Sequence, residues 1–210
     1  MSDSSAPTVA LAITGASGAL FAVRTLAALL ANGSHVELIV TDYGRRLLRD
    51  ELGEDAAAER IVPFLTSKYG AEVERGSVTL HSNRDLGATI ASGSHGCVGM
   101  AIVPCSMKTM AAVAHGLSRS LVERAADVML KERRRLVIVP RETPMSLPQL
   151  KNMVLCAEAG AIMLPAMPAF YQMPKTLDDL ADFMAGKILG ALGFEHDLYP
   201  KWTGQGGVKG

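Results

Sequence analysis

The sequence predicts an α/β protein: a parallel sheet with helices packed on both faces, three layers in all. Short β-branched or aliphatic runs alternate along the chain with longer stretches of helical period, the pattern of βαβ units. Several of those runs are apolar at successive residues, as strands are when helices cover both sides of a sheet. With 210 residues, 49% of them hydrophobic, the chain can build a sizeable core without disulfides or metals. It reads as one domain over residues 1–210, without repeats or linkers. Residues 1–7 and the glycine-rich 203–210 read as frayed ends.

The first strand is expected at 8–14, where Val9-Ala10-Leu11-Ala12-Ile13-Thr14 forms an uninterrupted β-type run. It stops at Gly15-Ala16-Ser17-Gly18-Ala19. Leu20, Val23, Leu26, Ala27 and Leu30 then recur at helical spacing, which predicts a helix over 19–32 stopped by Gly33. Further strands are predicted at 35–40, 78–80, 100–103, 136–139 and 161–164, and further helices at 43–52, 56–68, 109–115, 120–133, 147–159 and 177–192. Gly160 is a helix stop, and Pro148 falls in a first helical turn, where a missing N–H costs little. The opening strand, small-residue turn and helix would present backbone N–H groups and a positive dipole end to an anion, with the Ser17 hydroxyl beside them. A phosphate-handling loop is therefore expected there.

Composition narrows the function classes. Twenty-one Lys and Arg balance 21 Asp and Glu, which argues against a nucleic-acid surface or a polybasic membrane patch. No apolar run approaches the ~20 residues that span a bilayer, and the first residues lack the layout of a signal peptide. Cys97, Cys105 and Cys156 are odd in number and have no C-x-x-C spacing, so reduced thiols in a cytoplasmic protein are expected. The five histidines show no paired metal-ligand spacing, and a metal-free protein is expected.

In an open parallel sheet, ligands collect beyond the carboxyl ends of the strands. Here those ends carry Gly15-Ala16-Ser17, then Thr41-Asp42, then Pro104-Cys105-Ser106-Met107-Lys108-Thr109. Pro140-Arg141-Glu142-Thr143-Pro144 and the stretch from Pro165 to Tyr171 complete the set. Each has a plain structural alternative. A Gly-Ala-Ser-Gly turn permits close strand–helix packing, and Ser106 and Thr109 suit a helix cap. Lys131 to Arg135 suits a solvated helix end, the methionines from Met145 to Met173 suit core or interface, and Tyr171 alone suits packing. Glu142, between two prolines just past a buried strand, is harder to explain by packing. The functional reading rests on the set.

Familiar cofactor fingerprints fail in detail. The second and third glycine positions of G-x-G-x-x-G hold Ser17 and Leu20. Tyr171 and Lys175 have the spacing of a dehydrogenase pair, but Pro174 between them opposes a shared helical turn. The Gly-x-x-x-x-Gly-Lys phosphate loop is missing. Nicotinamide and ATP are poor candidates.

Across residues 8–202 the chain resembles the flavin prenyltransferases, UbiX-type enzymes once described as aromatic acid decarboxylases. The motifs that carry the resemblance are Thr14-Gly15-Ala16-Ser17-Gly18, Pro104-Cys105-Ser106-Met107-Lys108-Thr109 and Glu123-Arg124-Ala125-Ala126-Asp127-Val128. Leu130-Lys131-Glu132-Arg133, Val139-Pro140-Arg141-Glu142 and Pro168-Ala169-Phe170-Tyr171 add to them. The resemblance implies a flavodoxin-like, Rossmann-like sheet and a dodecamer with active sites between subunits. It implies that reduced FMN is joined to a dimethylallyl group from dimethylallyl phosphate, without a metal. The prenylated FMN formed would pass to a partner decarboxylase.

By matching motif, the resemblance implies FMN contacts from Gly15, Ala16, Ser17, Thr41, Ser106, Met107, Lys108, Thr109, Arg124 and Arg141. It implies a grip on the donor phosphate by Lys131, Tyr171 and Lys187, with Arg141, Ser17 and Glu51 nearby and Glu142 as acid/base. Family members often carry arginine where Lys187 stands; lysine keeps the charge and loses the bidentate fork. These residue types suit the chemistry. An allylic phosphate leaves with its electrons, so cations and a tyrosine hydroxyl neutralise the growing charge. The allyl cation is taken up by N5 and C6 of reduced flavin, and a carboxylate moves protons during ring closure or toward the departing phosphate. Trp202, matching the family's late tryptophan, is a candidate for stabilising the cation, in a lining kept sparse by one Trp and five Phe.

Two other functions share the fold. An FMN-dependent decarboxylase of cysteine-containing substrates would carry Pro-Ala-Ser-Ala-Asn-Thr at the Pro104–Thr109 loop and a Pro-x-Met-Asn-x-x-Met-Trp signature; Lys108 and the missing signature weigh against it. A flavin carrier or accessory subunit would tend to be acidic, with aromatics on both sides of the ring.

Overall fold

The computed structural model describes residues 6–200. Six parallel strands form one sheet: β1 (Thr8–Ile13), β2 (His35–Val40), β3 (Ser77–Ser82), β4 (Gly99–Cys105), β5 (Arg135–Pro140) and β6 (Ile162–Met163). Their order across the sheet is β3-β2-β1-β4-β5-β6. The winding reverses between β1 and β4, the place where doubly wound sheets open a crevice at their carboxyl edge. The helices are α1 (Ala19–Ala31), α2 (Asp42–Leu52), α3 (Ile61–Tyr69), α4 (Met107–Ala114), α5 (Leu121–Lys131), α6 (Leu147–Glu158) and α7 (Leu177–Leu192).

The uninterrupted apolar strands explain the layers. In β1, Val9, Leu11 and Ile13 pack with α1, α2, α3 and α7 on one face, while Ala10 and Ala12 face α4, α5 and α6 on the other. Val36, Leu38 and Val40 of β2 repeat the first set, and Met100, Ile102, Leu136 and Ile138 extend the second. Two apolar faces per strand give two cores, one on each side of the sheet. The three-layer expectation is borne out.

All six expected strands form. Gly33 and Gly160 follow α1 and α6 with φ of 76° and 104°, the left-handed conformation that ends a helix most easily at glycine. The single helix expected over 56–68 is a correction. Residues Glu54–Ala56 and Ala58–Arg60 form two tight 3-10 turns, and α3 begins only at Ile61. Pro63 is the reason: a helix begun at Ala56 would need its missing N–H and would press its ring on the Glu59 carbonyl. Begun at Ile61, the helix places Pro63 in its first turn, where no donor is required. Pro7, expected in a frayed segment, is tied in, its carbonyl accepting the His35 N–H at 3.0 Å. Trp202 and residues 203–210 lie outside the described residues.

Candidate functional site

The loops after β1, β2, β4 and β5 meet at the carboxyl edge, around the reversal point. Thr41 caps α2, its hydroxyl accepting the Gly44 N–H at 3.0 Å. Ser106 caps α4 by accepting the Thr109 N–H at 3.3 Å and also meets the Thr109 hydroxyl at 3.0 Å. Both residues have extended backbone and a short oxygen-bearing side chain, the requirements of an N-cap. Arg141, just beyond β5, donates its Nε–H to the Ser17 carbonyl at 3.0 Å, and its own N–H reaches the Cys105 carbonyl at 3.4 Å. The next residue, Glu142, accepts the Thr143 N–H on Oε1 at 3.0 Å. Gly15, Ala16, Ser17, Thr41, Ser106, Met107, Lys108, Thr109, Arg141 and Glu142 thus share one edge.

At the opening turn, where a phosphate-handling loop is expected, the helix end is capped from within the chain. A carboxylate already occupies the amino end of α1: Glu51, from the last turn of α2, accepts the Gly18 N–H at 3.0 Å and the Ala19 N–H at 2.8 Å. α1 has no side-chain cap of its own, so this distant glutamate satisfies two of its orphan donors and complements its dipole. Ser17 remains exposed beside it. The sequence marked Glu51 only through resemblance, because the two segments lie more than 30 positions apart.

The expected phosphate grip divides into two places within the chain. Tyr171 meets the Phe183 ring edge-on, with centroids 6.2 Å apart, and the Lys187 ammonium lies 5.5 Å from that ring's centre. Phe183 also packs on Tyr199 at 5.0 Å. These residues belong to the α7 side of the sheet. Lys131 ends α5, on the opposite face and four residues before β5 starts, at the amino edge. There its ammonium bonds Glu132 at 2.6 Å, which holds the Glu132 carboxyl below its ordinary value. Both side chains press on Gly93 so closely that an added Cβ would lie 2.1 Å from Glu132 Oε1. One protomer therefore does not bring Lys131 to Glu142 and Ser17. Arg124, expected near FMN, donates to the Ala91 carbonyl at 3.2 Å and to Asp127 at 2.9 Å.

The nearby thiols are inert. Burial pushes the Cys105 thiol far up, and the same cause lifts Cys156 to about 11. All three cysteines are free and buried. Away from the crevice, Glu37 is the one charged side chain buried in the core among the described residues. His81, His95 and His35 approach its carboxylate at 2.5, 3.1 and 3.7 Å. His35 shares β2 with Glu37, the register that pairs Ile39 with His81 brings the second, and the loop before β4 brings His95; their sequence spacing gives no sign of it. Among the described residues no group of three or more His, Cys, Asp or Glu side chains could hold a metal ion, and no helix is long and apolar enough to cross a membrane.

Comparison with known proteins gives a consistent picture. A family model described as Flavoprotein matches residues 1–189. The flavin prenyltransferase UbiX of Halalkalibacterium halodurans is 47% identical over 190 residues, covering 90% of each chain. That of Methanothermobacter thermautotrophicus is 44% identical over 197 residues, 94% of this chain and 96% of its own. Among solved structures, AnUbiX (PadA1) in complex with FMN and dimethylallyl pyrophosphate superposes with a TM-score of 0.85 at 34% identity, covering 96% of this chain and all of that one. A dodecameric FMN-dependent UbiX-like decarboxylase from Escherichia coli O157:H7 gives 0.82 at 35% identity, covering 94% and 100%.

Proposed function

The chain belongs to the flavin prenyltransferase family, and on that footing we propose that it joins a dimethylallyl group from dimethylallyl phosphate to reduced FMN. The observation that carries the reading is the carboxyl edge of the sheet, where Ser17, Thr41, Ser106 and Thr109 gather with Arg141, whose guanidinium donates to the Ser17 carbonyl. That donor set suits a phosphate and the polar edge of a flavin. Ser17 and the backbone of Gly15 and Ala16 would face the flavin from β1, and Met107, Lys108 and Thr109 from α4. Arg124 would join them once its bonds to Ala91 and Asp127 rearrange.

The reduced flavin supplies an electron-rich acceptor for the prenyl carbon. The chain's own residues do the rest. Lys131, Lys187, Arg141 and the Tyr171 hydroxyl hold the donor phosphate and neutralise the charge that grows on it as it leaves. Glu142 carries the proton, to the departing phosphate or away from the new ring. Ser17 and Glu51 border the same space. No metal enters this scheme, because the cations are those of the side chains.

Lys131 reaches such a site only from another copy of the chain, so the enzyme works as a homo-oligomer, a dodecamer in this proposal. Exposed apolar side chains support association: Phe170, Met173 and Leu177 are 68%, 74% and 72% exposed beside Tyr171, and Leu147 and Val154 project from α6. We take the whole chain as one flavoprotein domain. Its three free, buried thiols accord with a cytoplasmic setting, and its product would serve a decarboxylase dependent on prenylated FMN.

One anaerobic incubation with reduced FMN and dimethylallyl phosphate tests the reading. A shifted flavin absorbance spectrum with release of inorganic phosphate is the expected outcome. Carbon dioxide from a cysteine-ended peptide would point instead to a decarboxylase, and bound but unaltered flavin to a carrier.

A further inference from the structure

The paired register of β1 with β4 runs from Val9–Gly99 to Ala12–Ile102, and both strands continue beyond it toward the crevice. Beyond that register a side chain joins the main chain in linking them. Thr14, 1% exposed, donates its hydroxyl to the Pro104 carbonyl at 2.7 Å and accepts the Ser106 N–H on the same oxygen at 2.7 Å. Its own N–H also reaches the Pro104 carbonyl, at 3.3 Å. Ser106 is the cap of α4, and Gly15 begins the turn that follows Thr14. A single hydroxyl thus joins the two loops on either side of the reversal point.

We infer that Thr14 is a positioning residue for flavin binding: its hydroxyl sets the Ser106–Thr109 loop against the Gly15–Ser17 turn. This rests on the proposal that flavin binds between those loops. The geometry supports it in three ways. The hydroxyl both donates and accepts, so one oxygen fixes the rotation as well as the spacing of the Pro104–Ser106 segment. The hydroxyl is buried, and losing it takes from the Ser106 N–H its 2.7 Å partner and leaves the Pro104 carbonyl with the longer bond from the Thr14 N–H. The chain of bonds then runs from Thr14 through Ser106 to Thr109, so a shift at Thr14 moves two of the hydroxyls that face the crevice.

The test compares Thr14→Val, which keeps the shape and removes the hydroxyl, with Thr14→Ser, which keeps both bonds. FMN dissociation constants are read by flavin fluorescence, and melting temperatures with and without FMN. Thr14→Val is expected to weaken FMN binding about 10-fold or more and to shrink the FMN-induced rise in melting temperature, with Thr14→Ser within about 2-fold of the parent. Should Thr14→Val fail to fold, Thr14→Cys replaces it, matching serine in shape with far weaker hydrogen bonding, and the same contrast with Thr14→Ser is expected. Hydroxyl-free or thiol variants that bind FMN as the parent does, whatever their melting temperature, overturn the inference and show a structural role only. A parent protein that binds no FMN defeats the underlying flavin reading instead.

Discussion

The carboxylate of Glu51 accepts the N–H of Ala19 at 2.8 Å, so the last turn of α2 closes the first turn of α1. The same carboxylate takes the Gly18 N–H at 3.0 Å. An anion at a helix amino end is favoured by the helix dipole, and two backbone donors make the contact charge-assisted. Replacing Glu51 by Gln keeps the shape and removes the charge. The expected loss is roughly 1 kcal/mol of folding stability, read from urea unfolding midpoints. An unchanged midpoint contradicts the capping role.

Glu142 follows a strand buried from Leu136 to Pro140, and its Oε1 is held by the Thr143 N–H at 3.0 Å. Glu142→Gln keeps the size and loses the proton-carrying group. It is expected to bind FMN with unchanged affinity and to form no product in single-turnover mixtures, a combination read by fluorescence titration and chromatography. Full turnover in that variant removes Glu142 from the reaction.

Lys131 and Glu142 sit at opposite edges of the sheet in one chain. If each site draws the two from different copies, Lys131→Ala and Glu142→Gln are separately inactive, and mixed oligomers of the two regain a measurable fraction of activity. Co-expression with two affinity tags isolates the mixtures. Mixed oligomers as inactive as either parent contradict a shared site.

Asp179 accepts the N–H groups of Lys175 and Thr176 at the start of α7, and these bonds hold its carboxyl below its ordinary 3.8. A carboxyl lowered in the folded state stabilises it fully above 3.8 and loses that contribution as pH falls through the lowered value. Asp179→Asn is therefore expected to melt below the parent at pH 6 and to converge with it near the acid end of the titration. A gap independent of pH contradicts the assignment.

Much of the fold was legible because the strands are apolar at consecutive positions. Val9 to Ile13, short, apolar at every position and stopped by Gly15, reads as a strand covered on both faces, and its partners follow the same pattern. The helix expected over 56–68 begins instead at Ile61, because the missing N–H of Pro63 dictates where α3 starts. The candidate site was legible where its residues sit just past a strand, as Ser17, Ser106, Arg141 and Glu142 do. It was not legible where long-range packing decides. Nothing local in the sequence tells that Glu51 closes α1, that Thr14 bonds Ser106, or that three histidines gather on Glu37. The separation of Lys131 from Tyr171 and Lys187 likewise follows from which face of the sheet each helix covers, a matter of topology rather than of local pattern.

The mass of the flavin recovered after anaerobic incubation with dimethylallyl phosphate tests the account at its centre. FMN heavier by one prenyl unit, formed only when both the chain and the donor are present, is the outcome expected. Flavin recovered at its starting mass, from protein that demonstrably bound it in reduced form, would contradict the assignment of this crevice to prenyl transfer.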